Sequence, residues 1–135
     1  MTHPNPGLLV VSRFRVPTER RPGFLLDAEA AMAVLAAQPG CRGVSLGQST
    51  DEADLMLIRS EWDGVGAYRR GLSAFDVKVT AVPLLSTAID EPSAYEVVVH
   101  HGTSGVERGS SGLAADAGEV GLGRAAAAVV PPVST

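Results

Sequence analysis

Apolar and polar positions follow a period of two in some stretches and a helical period in others. Leu8-Leu9-Val10-Val11-Ser12-Arg13-Phe14-Arg15-Val16 is β-branched and apolar, then alternating, which predicts a strand ended by Pro17. After a loop with Pro22-Gly23, residues Phe24, Ala28, Ala31, Met32 and Leu35 fall on one face of a helix over 24–38. Pro39-Gly40 stops it. Cys41 to Gln48 predicts a second strand with Val44 and Leu46 inward and glycines marking a bend. Ser49-Thr50-Asp51-Glu52 is a polar hairpin turn. Asp54 to Trp62 predicts a third strand with Met56, Ile58 and Trp62 on one face and Leu55, Leu57, Arg59 and Glu61 on the other.

Asp63 is the expected N-cap of a second helix, whose stripe is Val65, Tyr68, Leu72, Phe75, Val79 and Val82. Gly71 is expected to bend or break it. Pro83 begins a short further turn through Ile89, and Ala94 to His100 predicts the last strand. The order β-α-β-β-α-β is the ferredoxin-like α+β arrangement, an antiparallel sheet with both helices on one face. The opposite face then carries Leu9, Val11, Leu55 and Leu57 uncovered. A second copy packed about a two-fold axis is the simplest cover, so a homodimer is expected.

Composition sets the limits of the domain. All the aromatic residues lie at or before Tyr95, and the stretch from Gly102 to Thr135 is rich in Gly, Ala and Ser. Such a stretch buries too little apolar area to offset its ordering entropy. The expected organisation is an N-terminal extension over 1–7, a domain over 8–101 and a flexible low-complexity tail over 102–135. The chain is 135 residues long and carries a net charge of -4, which argues against binding nucleic acid through its backbone. The single cysteine, Cys41, allows neither an intrachain disulfide nor a Cys-based zinc site. No stretch has the apolar length to span a bilayer, and the N-terminus lacks the regions of a secretory signal, so a cytoplasmic protein is expected.

Gln38-Pro39-Gly40-Cys41 at the end of helix one, the turn at 49–52, and Glu61-Trp62-Asp63-Gly64-Val65-Gly66-Ala67-Tyr68 leading into helix two carry a resemblance. In this order of elements they resemble the antibiotic biosynthesis monooxygenase (ABM) domain family, over residues 8 to about 100. The resemblance implies a dimeric α+β barrel with a pocket between sheet and helices in each subunit. It also implies a cofactor-independent monooxygenase acting on a small aromatic or polyketide-like compound. The deprotonated substrate would itself reduce O2, with no flavin or metal. Trp62 and Tyr68 match the family's pocket tryptophan and tyrosine and are the candidate catalytic residues. Ser12, Phe14, Ile58, Arg69, Leu72 and Phe75 are the candidate substrate-binding residues. Ile58 and Val82 stand where the family carries a polar Asn and an Arg, and Gly71 stands where its haem-degrading branch carries a histidine. Those departures favour the alternative of a non-catalytic dimeric module that binds a small ligand or a partner.

Other motifs have plainer readings. Gly43-Val44-Ser45-Leu46-Gly47 fits the nucleophile-elbow pattern but lies inside a strand that leads to a hairpin. Gly121-Leu122-Gly123-Arg124-Ala125-Ala126 fits a dinucleotide fingerprint with no strand before it. Gly64-Val65-Gly66 reads as a tight start to helix two. His100-His101 lacks a third ligand at metal spacing. Arg69-Arg70 reads as solvated charge or as an anion clamp at a pocket mouth. Arg59 and Glu61 share a strand face, where pairing across a dimer is the structural reading. Cys41, without a histidine to activate it, reads as a packed thiol.

Overall fold

The computed structural model describes residues 5–109. They fall into two compact units, one over Gly7–Glu96 and a second that takes in Pro6 and, among the described residues, 97–109. The first unit holds β1 (Leu8–Arg15), α1 (Arg21–Ala36), β2 (Cys41–Gln48), β3 (Leu55–Trp62), α2 (Val65–Ser73), α3 (Phe75–Thr80), α4 (Val82–Leu85) and β4 (Ala94–Glu96), with a 3-10 turn over Thr18–Arg20. The sheet runs β2-β3-β1-β4 with every neighbour antiparallel. This is the ferredoxin-like order that the alternation of strands and helices predicts.

Strand alternation sorts the side chains between the two faces. Leu8, Val10 and Phe14 of β1 and Met56, Ile58, Ser60 and Trp62 of β3 are buried. Their alternates Leu9, Val11, Leu55 and Leu57 are half-buried on the other face. The register pairs Val11 with Arg59 and Leu9 with Glu61, so that face mixes apolar and charged positions. Arg59 and Glu61 form an ion pair with each other within the chain. The bend expected in β2 is a register shift between Cys41 and Gly43.

Local side chains pin the connections. Ser49 Oγ accepts from the backbone N–H of Asp51 and Glu52 at 3.1 and 3.0 Å, closing the β2–β3 turn. Gln48 Nε2 lies 3.0–3.2 Å from the carbonyls of Ser49, Glu52, Ala53 and Leu55. Arg13 donates from Nε and Nη2 to both oxygens of Glu91 at 2.7 and 2.8 Å, tying β1 to the loop before β4. Gly40, at φ 87°, follows α1 in the left-handed region. A Cβ there would stand 2.6 Å from that of Ala67.

The second helix differs from the expectation in three ways. Asp63 does not cap it; its carboxylate accepts from Arg42 Nε at 2.9 Å, and Gly64 is the N-cap. The break falls at Ala74, which is extended (φ -65°, ψ 141°), and not at Gly71, which continues the helix. Ala74 also resets the helical phase. Val77 and Ala81 therefore face the core, while Phe75 is 78% exposed and Val79 58% exposed. The stripe read through Phe75, Val79 and Val82 holds as far as Leu72 and then turns outward.

The last strand also differs. The pairing with β1 covers only Ala94–Glu96. Val99–Gly102 (β5) instead pairs with Gly105–Arg108 (β6) in a separate hairpin of the second unit. The expected boundary at 101/102 thus falls inside a hairpin. Its turn, with Gly105 at φ 118°, was read as the start of the tail because it has no aromatic residue. The expected tail from residue 110 onward and the fingerprint over 121–126 lie outside the described residues, as do residues 1–4 of the expected extension.

Candidate functional site

The layer between sheet and helices divides into two ends. At the first, Leu8, Val10, Ala31, Leu35, Trp62, Ala67, Val77 and Ala81 form one buried cluster, with Tyr68 and Leu72 packed against it. Trp62 is fully buried. Its indole N–H donates to Ser60 Oγ at 2.8 Å, a partner two residues back on the same strand face. Its ring meets Tyr68 in a tilted contact at 5.5 Å. Gly71 of α2 closes over it: a Cβ there would stand 2.9 Å from the six-membered part of the indole. Glycine is thus required at position 71 by close approach. Burial raises the Tyr68 phenol above its ordinary pKa, so at neutral pH it is protonated. Desolvation raises the Cys41 thiol likewise, consistent with a packed group.

At the other end, Phe14, Val16, Ala28, Met56 and Ile58 form a second cluster, with Phe24, Leu25, Leu84 and Leu85 against it. Here the layer opens into a cleft of about 880 Å3. That size is within the range typical of small-molecule sites. Phe14, itself fully buried, lies beneath it, and its ring meets the half-buried Phe24 at 5.2 Å in a tilted pair. One wall comes from the α1 end of the chain, with Glu19, Arg20, Gly23, Phe24, Asp27 and Ala30. The facing wall is Thr80, Pro83, Leu84 and Thr87, which Ala74 places by turning α3 and α4. Arg15 at the rim is held by Glu52 and Asp54 at 2.5 and 3.1 Å. The result is a cleft in which Phe24 and Leu84 stand among carboxylates, hydroxyls and the guanidinium groups of Arg15 and Arg20. It suits a flat apolar body that carries polar substituents.

The candidate residues are therefore distributed. Phe14 lines the cleft and Ile58 packs in the cluster beneath it. Trp62, Tyr68 and Leu72 belong to the packed end. Ser12 lines a smaller hollow of about 280 Å3 with Leu85, Ser86 and Glu91. Arg69 is exposed on α2, and Phe75 points to solvent because of the phase change at Ala74. The anion clamp read at Arg69-Arg70 is not at the mouth of this cleft. The sequence reading missed Gly23, Asp27, Thr80 and Thr87. Phe24 was visible as the first residue of the helix-one stripe. Among the described residues no group of three or more potential metal ligands occurs.

The sheet order and the helices on one face define a ferredoxin-like domain with a cleft at one end of its core. Residues 7–72 match the family Antibiotic biosynthesis monooxygenase. Solved structures share the fold. SnoaB, a cofactor-independent oxygenase from Streptomyces nogalater, has a TM-score of 0.58 in a point-mutant form and 0.54 in a second structure, with 22% identity over 67% of this chain and 91% of that one. A conserved protein from Methanosarcina mazei Go1 has a TM-score of 0.56 and 20% identity, covering 66% of this chain and 90% of that one. These likenesses are in fold. No curated protein matches the chain. No helix among the described residues is long and apolar enough to cross a membrane.

Proposed function

We propose that the protein is a cofactor-independent monooxygenase of the ABM type that oxidises a small planar aromatic compound held against Phe24 and Leu84. The observation that carries this reading is the 880 Å3 cleft, with Phe24 and Leu84 among polar side chains in its lining, over the stretch that matches the ABM family. In the reaction envisaged, an anthrone-type methylene loses a proton and its carbanion passes electrons to O2. The resulting hydroperoxide loses water. One substrate and one O2 give one quinone and one H2O, with the substrate as the reductant. The chain's tasks are to hold the ring, exclude water from it and accept the proton. Asp27 and Glu19, on the cleft wall, are the acceptors at hand. Trp62 and Tyr68 contribute by fixing the packed end against which the cleft is built, and Tyr68 supplies no base. Leu9, Val11, Leu55 and Leu57 favour a second copy across the sheet face, and the protein is read as a cytoplasmic homodimer.

The test is oxygen uptake by the full-length protein with anthrone. The expected result is stoichiometric quinone formation that Phe24→Ala reduces at least tenfold in kcat/KM. One structural observation favours the rival reading of a binding module. The Trp62 N–H is already satisfied by Ser60, and Ile58 at the family's polar position is apolar. Binding of anthrone in the cleft with no oxygen consumed above the uncatalysed rate would establish the module and overturn the oxygenase.

A further inference from the structure

We infer that the outer face of the helix layer, formed by Leu26, Ala30 and Ala33 of α1 with Phe75, Val79 and Val82 of the α3–α4 run, docks onto the same face of a second copy of this chain. This surface lies on the far side of the helices from the sheet, so the contact is separate from the pairing of sheet faces proposed above. The first observation that carries it is the composition of α1. Its core side is Ala28, Ala31 and Leu35, all buried. Half a turn away, where a surface helix is normally polar, Leu26 is 74% exposed and Ala30 and Ala33 are exposed. From Phe24 to Ala36 the only charged residues are Asp27 and Glu29. A helix that is apolar all round is normally covered on both sides.

The second observation is the outward stripe of α3 and α4. Backbone bonds from Lys78 N–H to Ala74 C=O through Ser86 N–H to Val82 C=O, at 2.8–2.9 Å, carry one helical path across both segments. Val77 and Ala81 turn to the core, which leaves Phe75, Val79 and Val82 exposed at spacings of four and three. Because α1 packs beside α3, the two apolar faces adjoin. A joined patch of this kind marks an interaction surface.

The face is complementary to itself. Its α1 half is mostly small and its α3–α4 half is large. Asp27 and Ala30 on α1 and Thr80 and Pro83 on the α3–α4 run line the cleft, which marks the flanks that face each other. By helical spacing Glu29 and Lys78 lie toward the opposite, outer margins. Both are exposed, and neither forms an ion pair among the described residues. A two-fold axis running along the helices sets α1 of one copy over α3–α4 of the other. It places the alanines beneath Phe75 and Val79 twice and brings the Glu29 margin to the Lys78 margin twice, as an isologous contact requires. Ala30 and Pro83, both exposed, also line the cleft, so the docked copy stands at its edge.

The experiment is sedimentation velocity of the full-length protein over a range of concentrations, with circular dichroism and thermal unfolding as fold controls. Phe75→Glu is expected to weaken association through this face at least tenfold, halving the mass of the largest species. Val79→Glu repeats the test at a second exposed position. Glu29→Lys and Lys78→Glu should each weaken association about threefold, and the two combined in one chain should restore it. Failure of the combined swap to restore association would overturn the two-fold arrangement. Leu57→Glu, on the sheet face, separates the two interfaces. A mass that falls in Leu57→Glu but not in Phe75→Glu or Val79→Glu would overturn the inference and leave the sheet pairing standing. A wild type that sediments as one chain at every concentration would overturn both and leave the helix face to a foreign partner.

Discussion

The Trp62 end and the Phe14 end of the layer between sheet and helices are built from the same materials and differ in one respect. Both set an aromatic residue of the sheet against a second aromatic from a helix, Trp62 against Tyr68 and Phe14 against Phe24. At the Trp62 end α2 comes down onto the indole at Gly71, and the polar atom of the ring is satisfied from its own strand. At the Phe14 end the sheet aromatic is buried just as fully, and the cleft opens beside its half-buried partner Phe24. A tightly sealed aromatic contributes stability; a half-buried one at the edge of a cleft is available to a ligand. The difference arises in the backbone, from a glycine at 71 and an extended residue at 74.

The strongest way to break this comparison is to force the closed end apart. Gly71→Leu places atoms inside the indole's contact distance. It is expected to cost about 3 kcal/mol or more, read as a loss of denaturant midpoint at unchanged slope. A variant as stable as wild type would show that α2 does not seal Trp62. Ser60→Ala removes the only acceptor shown for the Trp62 N–H and is expected to cost roughly 2 kcal/mol, since a buried donor is left unmade. Phe24→Ala sharpens the contrast from the other side. Its ring is half-buried, so unfolding should shift by only about 1 kcal/mol, well below the cost of a fully buried phenylalanine. Its effect on ligand binding should be the larger one.

The smallest effect expected is pH-dependent and lies outside both ends. The guanidinium of Arg13, through its hydrogen bonds and charge, holds Glu91 below the usual carboxylate range. A group depressed in the folded state adds stability above its unfolded pKa and loses it as pH falls through the folded value. The stability difference between wild type and Glu91→Gln should therefore be present at pH 7 and vanish in acid. The pair is partly exposed, so the difference should be slight. A difference that persists at pH 2 would show that Glu91 acts through packing.

The sequence made the strands legible because period-two alternation survives in β1 and β3 without interruption. Those two strands, with two amphipathic segments between and after them, are enough to define the order of the sheet. The phase change after Ser73 was not legible. Alanine favours the helix by local preference, so nothing in the sequence marks the break; Ala74 is extended where Val77 and Ala81 reach the core. For the same reason the stripe misled at Phe75. Gly71 read as a break because helical glycine is usually unfavourable; its contact with Trp62 joins residues on separate elements that no periodicity links. The candidate site suffered most. Trp62 and Phe14 were both identified, and both are buried; the cleft instead lies beside Phe24, where α1 and the segment after Ala74 meet, which no single-element pattern locates.

The seal at Gly71 makes positions 62 and 71 a coupled pair. A Cβ at 71 would meet the indole at 2.9 Å, so volume added at one position has to be given up at the other. A smaller ring at 62 combined with a side chain at 71 should therefore cost less than the two single changes summed.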